Sequence, residues 1–416
     1  MAEPGSRLSR RLGTGDAVLI GLGSMIGAGV FAAIGPAAEA AGSGLLLGLA
    51  VAAIVAYCNA TSSAQLAAIY PSSGGTYVYG RERLGPVWGY LAGWGFVVGK
   101  TASCAAMALT FGAYAAPAAA RPLAVVAVLA LTTVNWFGVR KTVQLTRVIV
   151  AVVLISLAAV VVASLAGGTA SPDHLGPIGA GGVTGVLQSA GLLFFAFAGY
   201  ARIATMGEEV RDPARTIPRA IPLALGITLV VYAVVATAAL LSVGPAVLAA
   251  ADAPLEAAVS AGTLDWAVPA VRVGGSVAAL GVLLSLIVGV SRTTFAMAAQ
   301  GDLPRWLDAV HPEHRVPHHA ELAVGALVAI VVMAADLRGA IGFSSFAVLT
   351  YYAIANASAW TLHPDQRRWP RWVAGLGFGG CALLAGTLPR ASVLGGTFVL
   401  AVGLAIHVLR SRPSLR

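Results

Sequence analysis

The groups in this chain best placed to do chemistry are main-chain dipoles inside apolar stretches. Gly23-Ser24-Met25-Ile26-Gly27-Ala28-Gly29-Val30-Phe31 crowds glycines into the first long hydrophobic run, where a bilayer-spanning helix should be most regular. That helix is expected to break. Non-helical backbone at membrane depth is tolerated only where it lines a protein cavity, and a helix that restarts there presents free N–H groups suited to an anion. Phe194-Phe195-Ala196-Phe197-Ala198-Gly199-Tyr200 interrupts a second run in the same manner. Two interrupted helices suggest a transporter; the alternative for the first cluster is a small-residue packing surface between helices.

Few side chains add to this. Lys100 falls near the middle of the third run, too deep to snorkel, so its ammonium must face a wet cavity, find partners or give up its proton. It is expected to carry a coupled proton or to offer positive charge to an acidic substrate side chain, against a structural lysine bonded to carbonyls. Phe195, Phe197 and Tyr200 are candidates for an aromatic gate, or are ordinary packing. Arg202 and Arg292 need water or counter-ions, and Glu208 and Glu209 are the nearest acids. The four form either an inner-gate ion-pair network or solvated helix ends.

Histidine is a poor candidate for coupling: His174, His311, His314, His318, His319 and His363 fall in loops, and His407 near the end of the last run. Two prolines disrupt the spacing of the His311 to His319 stretch, so no metal site is expected, and no cofactor is implied. Cys58, Cys104 and Cys381 all fall in apolar runs and read as small packing residues without a disulfide. The core lacks the nucleophile and base of an intramembrane enzyme, and its isolated charges do not make the polar pore of a channel.

The elements that must position these groups are membrane helices. Hydrophobic residues make up 58% of the chain and charged residues 10%, with a mean hydropathy of +0.84, which excludes an ordinary soluble domain. Apolar runs long enough to cross the bilayer are placed at 14–40, 44–69, 87–116, 122–137, 143–165, 183–205, 221–243, 274–298, 320–335, 341–361, 372–387 and 391–409. The expectation is an all-α integral membrane protein of twelve helices with the first and sixth broken. The net charge of +9 reflects loop asymmetry and not nucleic acid: Arg81, Arg83, Arg211, Arg305 and Arg367 lie on one side with most other cations, and only Arg121, Arg272, Arg338 and Arg390 on the other. Both termini are therefore expected in the cytoplasm, 1–13 and 410–416 as tails of one transmembrane domain over 14–409. Broken helices at positions one and six imply inverted five-helix repeats, 14–165 and 183–361, with two extra helices over 372–409. The loop Pro71 to Gly80 reads as a partly inserted segment or a plain loop, and Pro218 and Pro222 mark the start of the seventh helix.

Met25 to Phe31, Tyr70 to Tyr77, Phe194 to Gly199 followed by Gly207 to Pro213, and Ser291-Arg292 with Gly301-Asp302-Leu303-Pro304 together resemble the amino acid/polyamine/organocation permeases, closest to bacterial permeases akin to cationic amino acid transporters. The resemblance covers the ten core helices. It implies the inverted five-plus-five fold of the bacterial leucine transporter and alternating access to a site at mid-membrane. It also implies that the substrate carboxylate binds amides of Gly27, Ala28 and Gly29 and that the amine is held by carbonyls of Met25, Phe195 and Ala198. Helix-end physics agrees, since free N–H groups favour an anion and free C=O groups a cation. Two departures matter: the fifth run has no lysine to replace a sodium ion, and Ala201-Arg202 stands where many relatives carry an acid. The expected function is secondary active transport of an amino acid, neutral favoured, with proton favoured over sodium. Exchange, an acidic substrate held by Lys100, and a non-transporting amino acid sensor are the alternatives. The oligomeric state is not specified.

Overall fold

Long apolar stretches without interior breakers become helices because every main-chain group must then be satisfied locally. The computed structural model describes residues 12–70, 74–138, 143–200, 203 and 210–411. In the first half α1 spans Thr14–Met25, α2 Ala28–Ala41, α3 Leu45–Ile69, α4 Thr76–Leu84, α5 Pro86–Ala115, α6 Ala120–Trp136, α7 Val143–Ala166 and α8 Gly182–Phe197. The second half follows with α9 Pro213–Ala250, α10 Pro254–Ser260, α11 Ala267–Ala299, α12 His318–Ala334, α13 Leu337–Trp360, α14 Arg371–Thr387 and α15 Arg390–Ser411. Among the described residues there is no strand beyond one isolated bridge between Leu12 and Val210.

Nine segments among the described residues are long and apolar enough to cross a membrane. The difference from twelve has physical causes. α1 has 12 residues and is half of an interrupted span; α2 and α3 merge into one 41-residue segment through a 3-10 turn; α12 and α14 have 17 residues each. A helix of that last length reaches only about 25 Å.

α5 is the most enclosed of the spans, packed between α11 and α13, while α2 and α3 both pack on α8. Polar side chains survive inside these helices by bonding back one turn: Thr101 Oγ1 donates to Val97 O, Thr110 to Ala106 O and Thr132 to Val128 O, each at 2.7 Å. Between helices, Asn356 Nδ2 donates to Asn59 Oδ1 at 2.6 Å and the Cys381 thiol to the same oxygen at 3.2 Å, joining α13, α3 and α14. All three cysteines are buried and free.

Two local expectations change. The seventh helix starts at Pro213 and carries Pro218 and Pro222 inside it. Pro213 at the first helical position needs no N–H partner, and Asp212 O accepts from the Arg215 and Thr216 amides at 3.0 and 2.9 Å, so the first turn forms before either later proline is reached. The loop after α3 contains a real helix, α4, with residues 71–73 outside the described set.

Candidate functional site

The first interruption is present, and α8 ends in a tightened turn where the second was expected. α1 ends at Met25, Ile26 still donates its N–H to Leu22 O at 2.7 Å, and Gly27 then leaves helical geometry (φ −93°, ψ −147°) before α2 restarts at Ala28. Gly27 brings no capping side chain, so the first-turn amides of α2, those of Ala28 and Gly29 included, face outward from a helix start with its positive dipole end. In α8 the Ala198 N–H closes onto Phe194 O and the chain tightens into a 3-10 turn, Ala198–Tyr200.

The interruptions lie against each other. A Cβ added to Gly29 would stand 2.7 Å from Ala196 Cα, and one added to Gly199 would stand 2.8 Å from the Met25 nitrogen. Main chain meets main chain at both points, which is why glycine occupies them. Gly27 faces the Val282 side chain of α11.

Two phenols that the sequence reading passed over complete this arrangement. Tyr232 on α9 is 2% exposed, and its hydroxyl lies between the main-chain oxygens of Met25 and Ala196, 3.1 Å from the second, with a single proton for the pair. Tyr352 on α13 is 1% exposed and donates to Ala198 O at 3.4 Å. Met25 and Ala198 are carbonyls that the resemblance gives to a substrate amine. Tyr232 is a polar group alone in an apolar run and Tyr352 one of the pair Tyr351-Tyr352, signals available in the sequence; their partners are not.

Of the expected gate, Phe197 and Tyr200 are fully enclosed and Phe195 is half-buried. The Phe197 ring lies 5.3 Å from that of Tyr232, and Tyr200 lies 5.1 Å from Tyr352. Tyr352 also meets Phe194 edge-on at 5.8 Å and Tyr351 at 5.1 Å. The Tyr351 hydroxyl accepts from the Thr76 amide at 3.1 Å, so the aromatic row runs from the second interruption to the start of α4.

Lys100 sits midway along α5 and is 8% exposed. Among the described residues the ionisable side chain acting on it is Cys104, one turn further on, and no carboxylate pairs with it. It makes no described hydrogen bond to either interruption. Of the inner-gate candidates, Arg202, Glu208 and Glu209 lie outside the described residues. Arg292, exposed near the end of α11, lies within electrostatic reach of Glu321 on α12, which is 3% exposed with an unpartnered Oε2.

A different charge cluster stands on the arginine-rich side. The Asp302 carboxylate, 8% exposed, accepts from Arg81 at 3.0 Å and from the Tyr77 hydroxyl at 2.7 Å, with His407 Nδ1 3.7 Å away. Arg410 donates to Asp302 O at 3.1 Å, and the His407 ring stacks on Tyr90 at 4.4 Å. Asp302 thereby links α4, α5, the loop after α11 and α15.

Comparison with known proteins decides what this architecture is. The amino acid permease family profile matches residues 16–366. The chain belongs to the amino acid permease family. The permease is 66% identical over 404 residues to an uncharacterized transporter of Mycobacterium tuberculosis, covering 97% of this chain and 92% of that one. It is also similar to the branched-chain amino acid permease of Bacillus subtilis, 26% identical over 97% of this chain and 94% of that one. Cationic amino acid transporter 7 of Arabidopsis thaliana, a chloroplastic protein, is 28% identical over 86% of the permease and 66% of its own length. The permease is a multi-pass membrane protein of a transporter family, not of an enzyme family.

Proposed function

We propose that this permease moves a neutral α-amino acid across the cytoplasmic membrane by alternating access, coupled to a proton. The observation that carries this reading is the close apposition of a helix start and two helix ends, the start of α2 lying against the end of α8 and the end of α1 against Gly199. Amides of Gly27, Ala28 and Gly29 receive the carboxylate, and carbonyls of Met25, Phe195 and Ala198 receive the amine. An α-amino acid carries both charges on one carbon, which matches a site whose opposite dipoles converge. Val282, Ala196, Phe197, Tyr232 and Tyr352 meet the interruptions and bring no carboxylate, which supports a neutral side chain. A similar protein named for branched-chain amino acids supports the same class.

In this reading α1 with α2, α8 with its 3-10 turn, and α3, α5, α6, α7, α9, α11, α12, α13, α14 and α15 make twelve crossings. Residues 14–165 and 183–361 are the inverted repeats, and both termini are cytoplasmic. Phe195, Phe197 and Tyr200 shield the substrate, and Lys100 carries the proton. Lys100 also supports a second reading, an acidic amino acid whose side chain pairs with the buried ammonium, because no described carboxylate already does so.

Purified protein in liposomes, offered labelled amino acids with and without an imposed pH gradient, tests both readings. Uptake of neutral amino acids raised by an inward proton gradient is expected. Uptake confined to glutamate and aspartate would favour the second reading, stimulation by sodium alone would remove the proton, and binding without flux would make the protein a sensor.

A further inference from the structure

We infer that Tyr232 and Tyr352 are stand-in donors: their hydroxyls hold helix-end carbonyls that a substrate ammonium takes over on binding. The inference rests on the amino acid site proposed above and adds to it two residues and a rule of selection.

Carbonyls at the end of an interrupted helix have lost their intrahelical partners, and at membrane depth an unmet carbonyl is costly. In this protein those oxygens are met by phenols from other helices. Tyr232 reaches from α9 to Met25 O at the end of α1 and to Ala196 O at the end of α8, so one hydroxyl spans both interruptions. Tyr352 reaches from α13 to Ala198 O. The 3.4 Å separation of that second bond marks it as the weaker one.

Both rings are held in place. Tyr232 packs on Phe197, and Tyr352 is enclosed by Phe194, Tyr200 and Tyr351. Two phenolic protons shared among Met25 O, Ala196 O and Ala198 O are exchanged for the three N–H donors of a primary ammonium, which makes Ala196 O a further acceptor beside the Met25 and Ala198 carbonyls of the proposed site. The site then selects amines able to donate to several carbonyls at once, and an N,N-dimethylated amino acid lacks the donors to replace both phenols.

The test uses the full-length permease in nanodiscs, with thermal stability and dissociation constants measured against the twenty proteinogenic amino acids. The one that stabilises the parent most is the probe. Tyr232→Phe keeps the ring and removes the donor, so the empty protein should melt at a lower temperature while the probe binds roughly two- to tenfold more tightly, because the bound state never used the hydroxyl. Tyr352→Phe should shift affinity in the same direction by less, and it decides the matter if Tyr232→Phe does not yield folded protein. The N,N-dimethyl derivative of the probe should bind the parent at least about tenfold more weakly than the probe.

Unchanged affinity in the variants would mean that the phenols hold the carbonyls in both states, and weaker affinity that they contact substrate; either overturns the inference. Equal binding of the dimethyl derivative overturns the selection rule. A parent that binds no amino acid brings down the proposed function, and this inference with it. A parent that binds while its variants gain nothing brings down this inference alone.

Discussion

At the scale of single residues, the decisive groups are a lysine and an aspartate. Lys100 stood out in the sequence because a lone ammonium in an apolar run has no cheap explanation, and burial in the middle of α5 leaves that problem in place. Lys100→Met keeps the length and apolar stem while removing the charge. Proteoliposomes carrying it should still equilibrate substrate but lose the stimulation by an inward proton gradient; the same stimulation in variant and parent would remove Lys100 from coupling. Asp302 makes the contrasting case. Its neighbours Tyr77, Arg81 and His407 come from helices far apart in the chain, so only the folded structure reveals its role. Asp302→Ala removes the anion while Arg81, about one-third exposed, can turn to water, so a loss of about 1–2 kcal/mol is expected in thermal or denaturant unfolding of the solubilised protein. Tyr232 and Tyr352 were as visible as Lys100, yet a phenol is tolerated in a membrane helix for many reasons. Nothing in the sequence points across 207 and 154 residues to the Met25 and Ala198 carbonyls they meet.

At the scale of elements, the break in the first span and the end of α8 near Gly199 were legible because glycine opposes helix formation. The close approach of the two was not, because it depends on how α2 settles on α8. It yields a direct expectation. Gly29→Val would drive a branched side chain into Ala196, so transport should vanish and the melting temperature fall, whereas the same change at Gly226, which has open space around it, should leave both near the parent values. Flux that survives in Gly29→Val would show that the contact is not required. The amide pair joining α3 and α13 makes a milder prediction. Asn356→Ala should cost about 1 kcal/mol, typical of an interhelical hydrogen bond in a membrane protein, measured by unfolding in detergent with Asn59→Ala as the second arm of a double-mutant cycle. The start of α9 was misjudged because proline is both a breaker and a favoured first residue, and local sequence does not separate the two uses.

At the scale of the whole molecule, composition fixes the membrane environment, while the number of crossings depends on rules that treat interrupted and short helices differently. The proposed twelve crossings put both ends of the chain on one side, and the excess of loop arginines there is the argument for calling that side cytoplasmic. Single cysteines introduced at Gly15 and at Ser171, on otherwise cysteine-free protein, should differ in whole cells: a membrane-impermeant thiol reagent should label the second and spare the first. The reverse pattern would invert the topology.

The anchoring of α15 bears on how the chain tolerates being shortened. Its final turns supply His407 beside the Asp302 carboxylate and Arg410 on the Asp302 carbonyl, a residue more than a hundred positions earlier. Trimming the tail before residue 407 would remove the imidazole beside a buried carboxylate and the guanidinium on its main-chain oxygen, so an affinity tag belongs at the amino terminus and a proteolytic clip near the carboxyl terminus would be felt at the loop after α11.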